Sequence, residues 1–224
     1  MIKFTLRTYD SQPVDTFAPK HEHMTVMIET KERFIRLLRG TGREGIENVV
    51  NVIGELGFFE APASSRFHLN QQGGLLQHSL NVCDVAMNVR DMMIEMDRSL
   101  TDYLPIESVI IASLLHDTCK ADIYRPTIKK QKTEMGVWVS APGYDVDHSN
   151  FPLGHGEKSV IVLLRAGLEL TDHEIMAIRW HMHAWDLPFQ SPDIKNNLQK
   201  AREICPLAAV IQAADGLASN LLER

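Results

Sequence analysis

Apolar positions recur at helical spacing along most of the chain. Phe34, Ile35, Leu37 and Leu38 form one face of a helix predicted from about Thr30, and Gly40 and Gly42 stop it. Ile46, Val49, Val50, Ile53 and Leu56 give a second amphipathic stripe, closed by Gly57. Residues 58–72 read as a loop. Gly73-Gly74 then open a long helix to about Met96, apolar at Leu75, Leu76, Leu80, Val82, Cys83, Val85, Ala86 and Val89. Pro105 suits the first turn of the next helix, which ends in the apolar run Val109–Leu115. After Lys120 the helical period is lost. Residues 121–152 carry Tyr124, Ile128, Val137, Trp138, Val139 and Tyr144 between glycines and prolines, and predict a β-hairpin or flap. Segments of that length in a compact domain often act as lids. Gly154-His155-Gly156 start another helix, and Thr171-Asp172-His173-Glu174 is a capping box that launches Ile175–Ala184. Residues 190–197, with Pro188 and Pro192 nearby, predict a loop. A last helix runs from about Pro206 to Leu222. Residues 1–28 show no clear period and predict an extended arm, with a strand at Ile2–Thr8 and a solvated His21-Glu22-His23 triplet. The expectation is an all-α protein with a small β-hairpin insertion: an arm over 1–28 and a single helical domain over 29–224.

The 44% hydrophobic and 23% charged content are ordinary globular values, and 224 residues suffice for a proper core. Net charge is −6, so no general basic field holds nucleic acid by its phosphates; a local basic patch stays open. Cys83, Cys119 and Cys205 include no CxxC spacing, which argues against a disulfide framework or a zinc–thiolate site. We expect reduced thiols in a cytoplasmic protein, since no signal peptide opens the chain and no apolar run reaches membrane-spanning length. A homo-oligomer is compatible with the sequence.

Candidate chemistry lies in polar residues set into apolar helices: His78, His116, Asp117, His155, His181 and Asp215. Burying such groups is costly without compensation, and a divalent cation compensates imidazoles and carboxylates together. Four histidines and two aspartates on separate helices or helix ends suit a site in the core of a helical bundle. Without thiolates, the set favours Mn²⁺, Fe²⁺, Co²⁺, Ni²⁺, Mg²⁺ or Zn²⁺ at one or two sites.

The order His78, His116-Asp117, Asp215 resembles the HD-domain phosphohydrolase superfamily. The stretches GGLLQHSL, LLHDTCK and QAADGLASN carry the likeness, and GHGEKS and IRWHMH place His155 and His181 where two-metal members have two further ligands. The resemblance implies an all-α HD helical bundle and a metal-dependent phosphoester hydrolase. One ion would be held by His78, His116, Asp117 and Asp215. A second would share Asp117 as a bridge and add His155 and His181. The text HMHAWDLPF departs from the block that marks cyclic di-nucleotide hydrolases, and motifs of deoxynucleoside triphosphohydrolases and alarmone hydrolases are not evident. The His155/His181 pair is similar to that of an RNA-trimming exonuclease subclass. The expected substrate is a small phosphomonoester or phosphodiester, of a nucleotide or short oligonucleotide. Alternatives are a di-iron oxygenase or a catalytically silent ligand-binding module.

Around this set, Lys120 is expected to meet a substrate phosphate, and Glu157 to orient an imidazole or act on a proton. Arg66, His68, Arg125, Lys158 and Arg179 are candidate substrate-binding residues. His183, two positions after His181, is expected to face solvent. Trp138 and Tyr144 are expected to pack within the hairpin, which Arg125, Lys129, Lys130 and Lys132 make basic.

Overall fold

The computed structural model describes residues 20–133, 135–183 and 192–223. The strand expected at Ile2–Thr8 lies outside them. α1 spans Lys20–Gly40, so the first helix begins about ten residues before the predicted start and takes in the end of the expected arm. Its polar first half hides the period on which the prediction rests. α2 (Ile46–Glu55) follows, and Phe34, Leu38, Val49 and Ile53 are wholly buried as the stripes require. α3 is Gly74–Met96, and a 3₁₀ segment at Arg98–Tyr103 leads to α4, Ile106–Leu115.

A 3₁₀ turn at Thr118–Lys120 then gives way to β1 (Tyr124–Lys132) and β2 (Trp138–Val146), an antiparallel hairpin in register Tyr124↔Val146 to Lys132↔Trp138. α5 is His155–Arg165 and α6 is Asp172–Trp180, the latter opened by the anticipated Thr171–Glu174 capping box. α7 spans Pro192–Ile204, where a loop was expected through 197. Proline is tolerated in a helix's first turn, and a polar stretch there does not preclude helix. α8 (Pro206–Leu217) continues into a π-helical turn, Ala218–Leu222.

The fold is therefore all-α with one hairpin insertion. α3, α4, α6 and α8 pack around a shared core that includes Leu76, Leu80, Ile111, Leu114, Leu115, Ile178, Leu207 and Ile211. Each of these leucines and isoleucines contributes about 1.5–3 kcal/mol of burial. Among the described residues no single helix is long and apolar enough to cross a membrane.

The hairpin is tied to the bundle at its base. Lys158 Nζ lies 2.6 Å from Asp122 Oδ1 and 3.2 Å from the Asn150 carbonyl oxygen, and its side chain is 7% exposed. This overturns the substrate-binding expectation for Lys158, whose charge is spent on a buried pair just before β1.

Candidate metal centre

Helix ends build the site. His78 sits in the second turn of α3, His116 caps α4 and Asp117 follows it. His155 is the first residue of α5, His181 caps α6, and Asp215 lies in the last turn of α8. Two glycines set the approach of these ends. A Cβ on Gly74 would lie 2.1 Å from the Leu69 carbonyl oxygen, so the 63–72 loop can press against the start of α3. A Cβ on Gly156 would lie 2.3 Å from the Arg179 carbonyl oxygen, so the start of α5 can close on the end of α6.

Asp117, 2% exposed, is the hub. Its Oδ2 faces His78 Nε2 at 3.5 Å and His116 Nε2 at 3.4 Å. Its Oδ1 faces His155 Nε2 at 2.6 Å and His181 Nε2 at 3.4 Å. Asp215 Oδ1 joins the first group, 3.4 Å from His78 Nε2. Lys120 Nζ stands 2.6 Å from Asp117 Oδ2.

The other ring nitrogens are occupied. His116 Nδ1 donates to the Ser113 carbonyl and His181 Nδ1 to the Ile178 carbonyl, each at 2.7 Å. His78 Nδ1 donates to the Glu223 carboxylate at 3.0 and 3.1 Å. Three Nε2 lone pairs are thereby turned inward, and those of His78 and His116 stand 3.3 Å apart. Two facing lone pairs repel unless a cation or proton lies between them. His181 Nε2 is buried without a hydrogen-bond partner. Tied imidazoles, an orphaned acceptor and a shared carboxylate fit a divalent metal.

In the metal-free chain protons take up the charge. Burial pushes His78 down, but Asp117, Asp215 and Glu223 outweigh it and hold its pKa well above the ordinary value. Burial also opposes the charged form of His155, yet Cys119 and Asp117 raise it to about 10. His181 is lowered by burial. Asp117 is held well below the carboxylate range despite burial, chiefly by Lys120 and His116. The Tyr124 hydroxyl, at the foot of β1, is pushed up to about 12 by burial and donates to the Ala63 carbonyl.

The structure thus brings together all six candidate ligands. Lys120 lies among them, and the His68 ring packs 5.1 Å from that of His78. Arg66 is exposed on the 63–72 loop, and Arg125, exposed at the hairpin base, pairs with Asp147 at 3.4 Å and donates to the Asp122 carbonyl at 3.1 Å. Two other candidates are corrected. Glu157 turns its half-exposed carboxylate to Arg179, 2.8 Å away, and not to an imidazole. Arg179 stacks its guanidinium over Trp180, 4.1 Å from the ring centroid, and so braces the α5–α6 contact instead of facing substrate. His183 is buried, not solvated, because a positive φ of 47° after the α6 end folds it inward. Trp138 is exposed instead of packed, whereas Tyr144 does pack edge-on to Tyr124.

Two residues carry site functions that the sequence does not announce. Glu223 orients His78 and also accepts from Asn81 Nδ2 at 2.9 Å. Cys119 places its sulfur 3.4 Å from His155 Nδ1, doing for that ring what a carbonyl does for His116 and His181. The only sequence signals are a carboxylate eight positions beyond Asp215 and a thiol two beyond Asp117.

A helical fold whose helix ends converge on histidines around one buried aspartate defines a metal-binding α-domain. The family model described as HD domain matches residues 75–220, and the chain belongs to the HD-domain family. Members are of the metal-dependent hydrolase type. No curated protein and no solved structure gives a significant match.

Proposed function

We propose that the protein is a metal-dependent phosphohydrolase that cleaves a phosphomonoester or phosphodiester, of a nucleotide or short oligonucleotide. One observation carries this assignment: the two oxygens of Asp117 are divided between two imidazole pairs, His78/His116 on Oδ2 and His155/His181 on Oδ1. Only a carboxylate can serve two cations in this way, since an imidazole nitrogen offers one lone pair. His78, His116, Asp117 and Asp215 would hold one ion; His155, His181 and the second oxygen of Asp117 would hold another. Divalent ions so placed polarise a phosphoryl oxygen and lower the pKa of bound water into the neutral range.

The chain's own residues supply the rest. Lys120 is kept protonated by Asp117, against the penalty of burial, and presents a fixed ammonium beside the ligand cluster for a phosphoryl oxygen. His68 is held neutral by burial and by the neighbouring His78, and its buried Nε2 has no hydrogen-bond partner. Glu223 Oε2 stands 3.9 Å from that nitrogen, and a substrate oxygen would compete for it. Tyr124 stays a neutral hydroxyl at pH 7 and closes the wall between the 63–72 loop and the hairpin.

The test is Asp117→Asn, which keeps shape but leaves one oxygen for two sites. With Mn²⁺ added, the wild-type chain should hydrolyse members of a panel of nucleotides and p-nitrophenyl phosphate esters. The variant, with unchanged far-UV circular dichroism, should lose that turnover by at least about a thousandfold. Retained turnover would exclude the mechanism.

A further inference from the structure

The acidic net charge hides a segregated one. Residues 124–146 hold Arg125, Lys129, Lys130 and Lys132 against Glu134 and Asp145, a balance of +2, so the remaining chain carries −8. This basic hairpin stands beside the 63–72 loop. Between them lies a cavity of about 720 Å³, walled by Arg66, Phe67 and Asn70 on the loop and Lys129, Lys130 and Gln131 on β1. Among the described residues no carboxylate lines it, and Lys129 pairs with Asp145 at 3.3 Å beside it. Phe67 is 81% exposed, so its ring face is open to a ligand in the cavity. Asn70 donates to the Ser65 carbonyl at 3.2 Å, while its buried Oδ1 is without a partner.

Both walls run into the metal centre. His68, the next residue after Phe67, packs on His78. Tyr124, the first residue of β1, bonds to the loop at Ala63, four residues from Phe67. Away from the centre the track continues. Lys130 also borders a second cavity with Trp138, Val139 and Ser140, and Trp138 is 65% exposed. In order outward there are a metal cluster, an aromatic ring beside an arginine, a lysine, and a second aromatic ring.

We infer that this groove holds a single-stranded oligonucleotide, laid from Trp138 past Lys130 and Phe67 to the metal centre. The inference rests on the phosphohydrolase assignment and narrows its substrate to a strand. Cations spaced along a groove meet successive phosphates, and exposed aromatic faces stack unpaired bases regardless of sequence. A duplex has no free base faces to offer. A mononucleotide would occupy the first ring and leave the Lys130–Trp138 stretch unused.

The experiment measures fluorescence anisotropy of labelled ten-nucleotide oligothymidylate and oligouridylate with the full chain, at 50 and 200 mM salt. At least one of these strands should bind, more weakly at high salt, and a matching duplex should bind less well. Phe67→Ala and Trp138→Ala should each weaken binding about tenfold. Lys130→Glu should weaken it and lower the slope of log affinity against log salt by about one. Lys200→Glu, the same charge change on α7, should leave binding as in the wild type. Binding by Phe67→Ala and Lys130→Glu equal to wild type would overturn the groove, as would equal loss in Lys200→Glu or no strand binding at all. Wild-type hydrolysis of bis(p-nitrophenyl) phosphate and of p-nitrophenyl phosphate with Mn²⁺, run in parallel, separates the two claims. Ester hydrolysis without strand binding sinks the groove alone, and strand binding with no hydrolysis of the diester or of p-nitrophenyl phosphate sinks the hydrolase alone.

Discussion

Removing Glu223 tests the orientation of the cluster from outside the ligand set. Its side chain is 1% exposed and accepts from His78 Nδ1 at 3.0 and 3.1 Å and from Asn81 Nδ2 at 2.9 Å. Glu223→Ala therefore strands the buried His78 donor and the half-buried Asn81 donor, and frees the His78 ring to turn its lone pair away from Asp117. Loss of such an outer partner typically lowers metal affinity about 10–100-fold, which is about 1.4–2.8 kcal/mol. The stranded donors cost about 1–3 kcal/mol in the metal-free fold. For a chain of this size that lowers Tm by roughly 2–4 °C per kcal/mol. Glu223→Gln keeps one acceptor and should fall between wild type and Ala. The assay is competition for Zn²⁺ or Mn²⁺ against a chromophoric chelator, with melting followed on the chelated protein. Wild-type metal affinity and Tm in the Ala variant would refute the account of how His78 is held.

Further outcomes follow from other contacts. Lys158→Ala leaves Asp122 without its buried partner and should cost about 3–5 kcal/mol, read as a lower Tm and faster proteolysis within the hairpin. Lys158→Met with Asp122→Leu should recover most of that loss. Gly156→Ala forces a methyl against the Arg179 carbonyl and should cost about 1–3 kcal/mol. It should also weaken metal binding, because α5 and α6 carry His155 and His181. Metal uptake should depend on pH with a definite sign. His78 and His155 hold protons above neutrality in the metal-free chain, and a ligand must shed its proton, so affinity measured by chelator competition should rise from pH 6 to pH 8. In the same metal-free chain, the raised His155 pKa contributes stability that is complete below its unfolded value near 6.5 and is lost as pH rises toward about 10. Urea melts of chelated protein across that window should show the contribution falling.

The six candidate ligands were legible because apolar helices make an ionisable residue conspicuous: His78 among Leu75, Leu76 and Leu80 demands a reason to be there. The hairpin was legible from loss of the helical period after Lys120. What was not legible depends on partners distant in sequence. Lys158, one turn into α5, reads as a phosphate contact until Asp122 is seen beside it, and Arg179 reads as one until Glu157 and Trp180 claim it. Glu223 meets His78 across 145 positions, a closure that no local pattern encodes. His183 follows helical spacing outward in the sequence, but the helix ends at Trp180 and a positive φ reverses it. α7 was hidden by the assumption that proline and polar residues together mean loop.

The most direct test of the metal centre is the metal content of the full chain purified without chelator, set beside Asp117→Asn and His155→Ala treated alike. Two cations held through the two oxygens of Asp117 predict close to two equivalents of divalent metal in the wild type, close to one in His155→Ala, and far less in Asp117→Asn. A folded wild-type chain that binds no divalent metal, even after incubation with Mn²⁺, Zn²⁺ or Fe²⁺, would contradict it.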